Sequence, residues 1–478
     1  MTNLARTWTC RCIVAAIVPM VMLLASNPLP AAGDEGNGRG IILDQNDPER
    51  EIDWQSLYGT EMPIESVKAR LFEILEHRID AADRAYGLSD AQKKKLEFVG
   101  RISIKQLFDR MAKHEIPKPN NRLTMKFKVS EQQAVRSELL LGPFGDDSLY
   151  GKTLRTVLTP EQVAKYSERQ RLATTSNRPI SVTNAKDLVK VSMCQKNVFE
   201  IGWSRDGTQL GLLEFDKQIE ISSSATGEVL RVLGEGKRCV HFDFSPDNHV
   251  IAIGENSNVA SILDLSKGTE ISLQAGQPQP SVRFSPDGKT LVTGGYGTKA
   301  KLWSVATGEQ LREFDVGEVK GGLRAIFSPD GSVLAVGNRN SITSLFEAAT
   351  GKWLHSFSIA QSQGLNFDPS SKTLAVAYVS GRLALWEVER GVLKKDLRTW
   401  AEELYSVDWS PDGSVLVTAG HNAAVTLWDA SDLSVLREIE APEWVITARF
   451  SPDGSKLIFS GGGRLQHSDR RIETWAVP

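Results

Sequence analysis

A short motif that recurs seven times in the C-terminal part of the chain constrains the fold more than any other feature. Each copy starts with Phe or Trp and continues as Ser-Pro-Asp-Gly or a close variant. The residues that follow the aromatic lie 40 to 43 positions apart and are Ser204, Ser245, Ser285, Ser328, Asp368, Ser410 and Ser451. A fixed period of this length is typical of repeat proteins, in which each unit buries its apolar surface against its neighbours.

A second marker indicates that each repeat contains four short strands. It reads Ala-Thr-Gly, or a relative of it, and ends at Gly227, Gly268, Gly308, Gly351 and Gly391. Two β-branched runs lie between the markers, as at 290–293 and 299–303, and another run such as 310–314 follows the second marker. Because one four-stranded sheet cannot bury both faces alone, we predict that the repeats pack as blades around an axis.

Turn chemistry explains the residues of the first motif. Proline fixes φ at the second position of a type I turn, Ser and Asp bond nearby backbone groups, and glycine accepts a left-handed conformation. The turn aspartates are therefore predicted to be structural rather than catalytic. They are Asp287, Asp330, Asp412 and Asp453.

The third strand of three repeats ends in Leu-Trp, at Trp303, Trp386 and Trp428, and Asp429 follows the last of them. This ending resembles the WD40 repeat, and the resemblance covers about residues 198–478. It implies an all-β, seven-bladed WD40-type propeller, preceded in this chain by a small α-helical region. The fold supports binding in many settings and does not by itself fix an activity.

The repeats depart from the WD40 pattern in three ways. The Gly-His pair before the first strand is missing throughout, and the aspartate between strands two and three is kept as Asp216 and Asp469. Its counterparts elsewhere are Ser257, Gly297, Asn340, Ser380 and Asn422. The third-strand Trp is replaced by Ser222, Leu263 and Phe346. We therefore expect stability to rest mainly on apolar packing between blades, not on the family's internal hydrogen-bond network.

The two ends of the predicted ring complement each other. The last repeat stops at Pro478 without a fourth strand, whereas residues 185–193 have strand character and no repeat of their own. We predict that 185–193 completes the last blade, so that the seven-bladed propeller spans 185–478. Such an overlap joins the ends of the ring and removes an exposed sheet edge.

Residues 1–33 have the order of a bacterial secretory signal peptide. Arg6 and Arg11 precede an apolar run over 13–25, and small residues follow. The run has 13 residues, fewer than the roughly 20 that a membrane span needs, so we do not predict a permanent span, and a membrane would be involved only if the signal stayed uncleaved. We expect an exported protein of the periplasm or cell envelope. The polar, glycine-rich residues 34–59 predict a flexible leader.

An α-helical region is predicted over residues 60–175, followed by a linker over 176–184. Apolar residues recur at helical spacing between Ile64 and Tyr86, and Gly87 is a suitable C-cap. Capping patterns predict further helix starts at Ser89, Ser130 and Thr159.

Two of these helix starts belong to a longer phrase. Residues 88–92 read Leu-Ser-Asp-Ala-Gln, and residues 158–162 read Leu-Thr-Pro-Glu-Gln. Both are weakly similar to the Leu-Thr-x-x-Gln element of small periplasmic proteins. Helix capping explains the same residues, so both interpretations stay open.

No motif for catalysis or for a cofactor occurs in the sequence. The seven histidines are scattered without H-E-x-x-H, H-x-H or C-x-x-C-H, and there is no G-x-S-x-G. We predict a non-enzymatic protein without a cofactor or metal site. The alternative is an exported enzyme or cofactor-binding propeller whose site is assembled from blade loops. Cys194 and Cys239 permit one disulfide or two unpaired thiols.

The loops that enter each first strand and the turns between strands two and three share one face of a propeller. The predicted partner-binding residues on this face are Lys237, Arg238, Lys320, Trp400, Glu403 and Trp444. Tryptophans among charged residues are typical of protein interfaces, and a net charge of −3 argues against nucleic acid, so we predict a protein or peptide partner. A packing role of Trp400 and Trp444 within their blades stays open. These observations together predict a non-catalytic protein-binding scaffold of the bacterial cell envelope or periplasm.

Overall fold

The computed structural model describes most of the chain from residue 49 onward. The described residues are 49–53, 64–113, 115–117, 123–128, 142–144, 148–196, 198–214, 218–317, 322–338, 342–399, 401, 403–421, 424–441, 444–461 and 471–478. The predicted signal peptide and the predicted helix start at Ser130 lie outside them. Outside them too are Asp216, Lys320, Asn340, Trp400, Asn422 and Asp469.

Four described helices precede the propeller. They are α1 Ile64–Tyr86, α2 Asp90–Ala112, α3 Leu149–Val157 and α4 Pro160–Thr175. Two starts are capping boxes, as predicted, because the side chains of Ser89 and Thr159 accept bonds from the backbone N–H of Gln92 and Gln162. Gly87 follows α1 with φ of 66°. Helices α1, α2 and α3 share one apolar core, which contains Leu71, Leu75, Leu96, Leu107 and Tyr150.

The two Leu-x-x-x-Gln phrases meet in space. Gln92 Nε2 donates to the carbonyl of Val157 at 2.6 Å, and Gln162 Nε2 donates to the carbonyl of Gly87 at 2.8 Å. The two glutamine side chains also bond each other at 2.9 Å. Each glutamine therefore caps its own helix and fastens the turn that precedes the other helix, a contact that capping alone does not predict.

A small antiparallel sheet corrects the interpretation of the N-terminal region. Its strands are β1 Glu49–Asp53, β2 Glu115–Pro117 and β3 Leu123–Lys128, in the order β1-β3-β2. The prediction of a flexible leader over 34–59 is wrong at β1, and the region 60–175 is not purely α-helical. Residues 123–128 alternate apolar and polar types, which is the period of a strand and not that of a helix.

Seven antiparallel four-stranded sheets form the blades, and the first strand of each blade lies nearest the axis. Blade 1 contains β5 Val198–Trp203, β6 Gln209–Glu214, β7 Ile219–Ser223 and β8 Val229–Leu233. Blade 2 contains β9 Cys239–Phe244, β10 Val250–Glu255, β11 Val259–Asp264 and β12 Glu270–Gln274. Blade 3 contains β13 Val282–Phe284, β14 Thr290–Thr293, β15 Lys299–Ser304 and β16 Gln310–Asp315.

The remaining blades follow the same order. Blade 4 contains β17 Arg324–Phe327, β18 Val333–Gly337, β19 Ile342–Glu347 and β20 Trp353–Ser358. Blade 5 contains β21 Ser362–Phe367, β22 Thr373–Tyr378, β23 Arg382–Glu387 and β24 Val392–Arg398. Blade 6 contains β25 Leu404–Trp409, β26 Val415–Gly420, β27 Ala424–Asp429 and β28 Val435–Glu440. Blade 7 contains β29 Val445–Phe450, β30 Lys456–Gly461, β31 Arg471–Ala476 and, from before the ring, β4 Val189–Cys194.

Strand β4 closes the ring. It pairs antiparallel with β31, so that Met193 lies opposite Glu473 and Cys194 lies opposite Ile472. The first strands contact one another around the axis, and β29 contacts β5. The segment just before the first repeat thus supplies the fourth strand of the last blade. An antiparallel partner there satisfies backbone groups that β31 would otherwise expose.

The Ser-Pro-Asp-Gly turns bond within themselves. Ser285 Oγ donates to Asp287 Oδ1 at 2.6 Å and accepts the backbone N–H of Thr290 at 3.0 Å. The same Ser–Asp bond occurs at 2.5–2.7 Å in the turns of Ser204, Ser245, Ser328, Ser410 and Ser451. Gly288 has φ of 70°, and a Cβ there would lie 3.3 Å from Pro246 of the preceding blade. The turn aspartates are structural, and neighbouring turns pack together.

The loss of the internal hydrogen-bond network is only partial. Trp303 Nε1 donates to Thr293 Oγ1 at 3.0 Å, and Trp428 Nε1 donates to Thr418 Oγ1 at 2.8 Å. These bonds are buried and join the second and third strands of blades 3 and 6. Apolar clusters such as Phe242, Ile251, Leu213 and Ile221 join neighbouring blades. Stability therefore combines inter-blade packing with a hydrogen-bond network that survives in part.

The helical region packs on the outer strands of blades 6 and 7. Arg70 Nη2 of α1 lies 2.5 Å from Glu438 Oε1 of β28, and Arg78 pairs with Glu440. Gln170 Nε2 of α4 donates to the carbonyl of Lys190 in β4 at 2.9 Å. The linker is packed as well, since its buried Ile180 donates its N–H to the carbonyl of Gly454 at 2.8 Å. We name these contacts the closure interface.

Candidate functional site

One face of the propeller is built by hydrogen bonds between the loop before a first strand and the turn after a second strand. The N–H of Asn256 donates to the carbonyl of Arg238 at 2.6 Å in blade 2. The N–H of His421 donates to the carbonyl of Glu403 at 2.8 Å in blade 6. We name this surface the loop face. The opposite surface, which carries the Ser-Pro-Asp-Gly turns, is the turn face.

Four side chains of blades 6 and 7 meet on the loop face. Tyr405 donates its hydroxyl to Glu403 Oε2 at 2.6 Å. The Trp444 ring lies 4.8 Å from the His421 ring and 6.0 Å from the Tyr405 ring, measured between centroids. Trp444 and His421 also form an antiparallel backbone bridge, which holds the loop of blade 7 against blade 6. We name these four side chains the aromatic cluster.

Burial in the aromatic cluster is graded. His421 is 7% exposed, whereas Glu403, Tyr405 and Trp444 are half-buried. Trp444 therefore packs against blade 6 and also exposes part of its surface at the loop face. This position is compatible with both roles that the sequence left open, packing within the ring and contact with a partner. Aromatic rings beside a carboxylate can contact apolar and cationic side chains of another protein.

Lys237 belongs to a charge network within blade 2. Its Nζ lies 3.0 Å from Glu255 Oε1, pairs with Glu270 and bonds Ser261 Oγ at 3.0 Å. Burial lowers the pKa of Lys237, but the bonds to Glu270 and Glu255 more than offset it, so its pKa is raised. The neighbouring Arg238 is exposed. Of this predicted pair, Arg238 is the more accessible residue at the loop face.

The six predicted site residues do not form one patch in the described part of the chain. Glu403 and Trp444 come together, while Lys237 and Arg238 belong to blade 2 and Lys320 and Trp400 lie outside the described residues. Sequence reasoning missed two members of the aromatic cluster, Tyr405 and His421. Tyr405 follows Glu403 by two residues, the spacing that places side chains on the same side of an extended segment, and this signal was available.

The part of the chain that the structure describes contains no group of three His, Cys, Asp or Glu side chains able to hold a metal ion. Among the described helices, none is both long and apolar enough for a membrane crossing. Cys194 and Cys239 are free thiols, the first exposed and the second buried. Burial raises the pKa of Cys239 to about 11, which disfavours its reactive thiolate form at neutral pH.

The closed ring of seven four-stranded blades defines the class of this protein, a seven-bladed β-propeller. Residues 277–304 and 393–429 match the family model of the WD domain, G-beta repeat. These two segments of the chain are therefore similar to WD repeats, and they lie in a seven-bladed ring of the WD40 type. The matched segments cover the first three strands of blade 3 and the part of the ring from the end of blade 5 through the first three strands of blade 6, and each includes a third-strand tryptophan, Trp303 or Trp428.

Short segments of this chain are similar to parts of several known proteins. WD repeat and SOCS box-containing protein 1 of Xenopus tropicalis is 33% identical over 103 residues, 20% of this chain and 24% of the relative. Jouberin of Rattus norvegicus is 30% identical over 118 residues, 24% of this chain and 11% of the relative. Protein groucho of Drosophila melanogaster is 23% identical over 202 residues, 42% of this chain and 21% of the relative. This chain thus spans about a quarter or less of each of these relatives.

Proposed function

We propose that this protein is a non-catalytic, protein-binding scaffold of the bacterial cell envelope or periplasm, and that it binds its partner through the loop face. The aromatic cluster is the observation that carries the proposal. It presents half-buried aromatic surface beside the Glu403 carboxylate, and interface energy is concentrated in such aromatic anchors. The turn face is a weaker candidate, because the Ser and Asp side chains of its turns bond within the turns themselves.

The location in the envelope rests on residues 1–33 alone. Their positive start, apolar run and small residues favour export. The test is expression of the full chain in a bacterium, with cell fractionation and mass spectrometry of the mature N-terminus. Recovery of a processed chain in the periplasmic or envelope fraction supports the location, and an unprocessed chain in the cytosol contradicts it.

The partner site is tested with a photo-crosslinking amino acid placed at Arg238 or Glu403, in the full chain and its native envelope. We expect a discrete crosslinked protein from these loop-face positions. The same amino acid at Asp287, on the turn face, is the matched control and should give no such product. Equal crosslinking from both faces would contradict a partner site on the loop face.

The affinity of variants for the captured protein then shows whether the aromatic cluster binds the partner or only packs within the ring. We expect Trp444→Ala to weaken binding at least tenfold, since central aromatic anchors contribute about 2 kcal/mol or more. Trp353→Ala is the control, because Trp353 is 57% exposed on the outer strand of blade 4, away from the loop face. Glu403→Gln keeps the side-chain volume and removes only the charge. Unchanged affinity in both Trp444→Ala and Glu403→Gln would reject the aromatic cluster as the site.

A further inference from the structure

The first strands surround a cavity of about 560 Å³ on the ring axis. Its positively charged lining residues come from blades 1, 3, 4 and 7, and they are Arg205, Arg283, Arg324 and Arg449. His241 lines it as well, and Asp243 is the one carboxylate among the described lining residues. A chain whose net charge is −3 thus concentrates arginine at its centre.

The carboxylates near the cavity are hydrogen-bonded mainly to groups of the cavity wall. Glu200 accepts bonds from Arg283 Nη2 at 3.1 Å and from His241 Nδ1 at 3.0 Å, and it also accepts the N–H of Phe242. Asp243 accepts the N–H of Phe284 at 2.8 Å. These bonds join blades 1, 2 and 3, and of the two acids only Asp243 lines the cavity.

Asp408 has the same role further round the ring. It accepts the N–H of Phe450 at 2.8 Å and a bond from Asn366. Two of the three carboxylates, Glu200 and Asp408, are absent from the cavity lining. The described lining therefore carries four arginines and one carboxylate, so the surface that a ligand meets is positively charged.

Neutral atoms of the wall help to hold two of the guanidinium groups in place, and one of them, that of Arg283, also pairs with Glu200. Arg449 Nη1 bonds Ser406 Oγ at 3.0 Å and the carbonyl of Ala448 at 3.2 Å. Arg283 Nη1 bonds the carbonyl of Phe242 at 3.1 Å. Carbonyl and hydroxyl oxygens orient a guanidinium without neutralising its charge, and the planar fork of arginine matches phosphate and carboxylate oxygens.

We propose that the axial cavity binds a small, multiply charged oxyanion that carries phosphate or carboxylate groups. Its volume lies within the range of small-molecule sites. Arg205 and the prolines Pro286 and Pro329 belong to Ser-Pro-Asp-Gly-type turns, so the cavity extends to the turn face. The site is distinct from the partner site proposed above, because the aromatic cluster meets the cavity only through Tyr405.

The experiment is isothermal titration calorimetry of the full chain with pyrophosphate and with citrate, at matched ionic strength in chloride. We expect saturable binding of at least one of these anions with one site per chain. Arg449→Gln and Arg205→Gln should each weaken it at least tenfold. The control is Arg390→Gln, at a residue that is 70% exposed and pairs with Glu387 outside the cavity.

The two probes distinguish the chemical source of the anion. Binding of pyrophosphate without citrate assigns phosphate groups, and the reverse assigns carboxylates. The proposal is overturned if neither anion binds more tightly than chloride, or if Arg449→Gln and Arg205→Gln both bind as the wild type does. Arg205 is exposed on a turn, so its variant tests the site even where Arg449→Gln disturbs the fold.

Discussion

The outer strands of blades 7 and 1 occupy equivalent positions in neighbouring blades but have different surroundings. In blade 7 the outer strand is β4, and its Val189 is buried with Ala173 of α4 and Ala476 of β31. In blade 1 the outer strand is β8, and Val229, Leu230 and Val232 are each about half exposed, at 47–53%. The start of the outer strand is thus covered in blade 7, whereas the outer strand of blade 1 is open to solvent.

The difference shows where this ring is reinforced. Blade 7 is assembled from two ends of the propeller sequence, so its last strand is joined by hydrogen bonds and not by a short connecting loop. The closure interface covers that junction with helices, the packed linker and two ion pairs. Blade 1 is continuous in sequence and needs no such cover, since its strands are joined by short loops.

The largest expected effect comes from placing the same charge in both outer strands. Val189→Asp puts a carboxylate into a side-chain site that is 3% exposed, and we expect it to lower the free energy of unfolding by about 4 kcal/mol. Val229→Asp, at the first residue of the exposed strand, should cost less than about 0.5 kcal/mol. Urea unfolding followed by tryptophan fluorescence measures both. Equal losses of unfolding free energy in the two variants would show that the two outer strands do not differ in burial.

A smaller effect is expected from the Arg70–Glu438 pair of the closure interface, whose side chains are only 12% and 20% exposed. Arg70→Met leaves the Glu438 carboxylate without this partner and should lower the free energy of unfolding by about 2 kcal/mol. A double-mutant cycle with Glu438→Gln should recover part of that loss. Arg171→Met is the control, because the Arg171–Glu168 pair is exposed on α4 and is screened by solvent, so its loss should change stability little. Additivity of Arg70→Met and Glu438→Gln would show that the two residues do not couple.

The smallest expected effect is the contribution of Glu440 to the pH dependence of folding stability. Burial raises the pKa of this carboxyl, but the Arg78 guanidinium more than offsets it, so the pKa lies below its usual value. Because the folded pKa is below the unfolded one, the stabilisation is present above the unfolded value and is lost as the pH falls through the folded pKa. Melting temperatures of wild type and Glu440→Gln should therefore differ at pH 7 and converge towards pH 3. A difference that persists in acid would show that the charge of Glu440 is not the cause.

Much of this architecture could be predicted from the sequence because its causes are local and repeated. Seven turns at a nearly constant spacing specify seven sheets. Within one turn, Ser285 bonds Asp287 and Gly288 adopts a positive φ, as turn chemistry requires. The helix starts at Ser89 and Thr159 are also local events. Strands β1 and β2 could not be found this way, since five and three residues carry too little periodicity to separate a strand from a loop.

The candidate sites were less accessible to sequence reasoning. Glu403 and Trp444 were found because tryptophan and charge mark interfaces, but their contact through Tyr405 and His421 depends on how blade 7 packs on blade 6. The axial arginines gave no sequence signal. Each is one residue in a different repeat, and only the ring brings them to a common centre.

The sequence by itself determined the number of blades, the turns, the strand order within each blade and the origin of the closing strand, because each depends on short-range patterns repeated along the chain. The tertiary structure decided which outer strand is covered, how the helices seal the closure interface, and which charges meet on the axis. Those outcomes depend on contacts between residues as much as 368 positions apart, as in Arg70 and Glu438. No local pattern encodes such contacts, since burial and charge proximity arise only when the whole ring has closed.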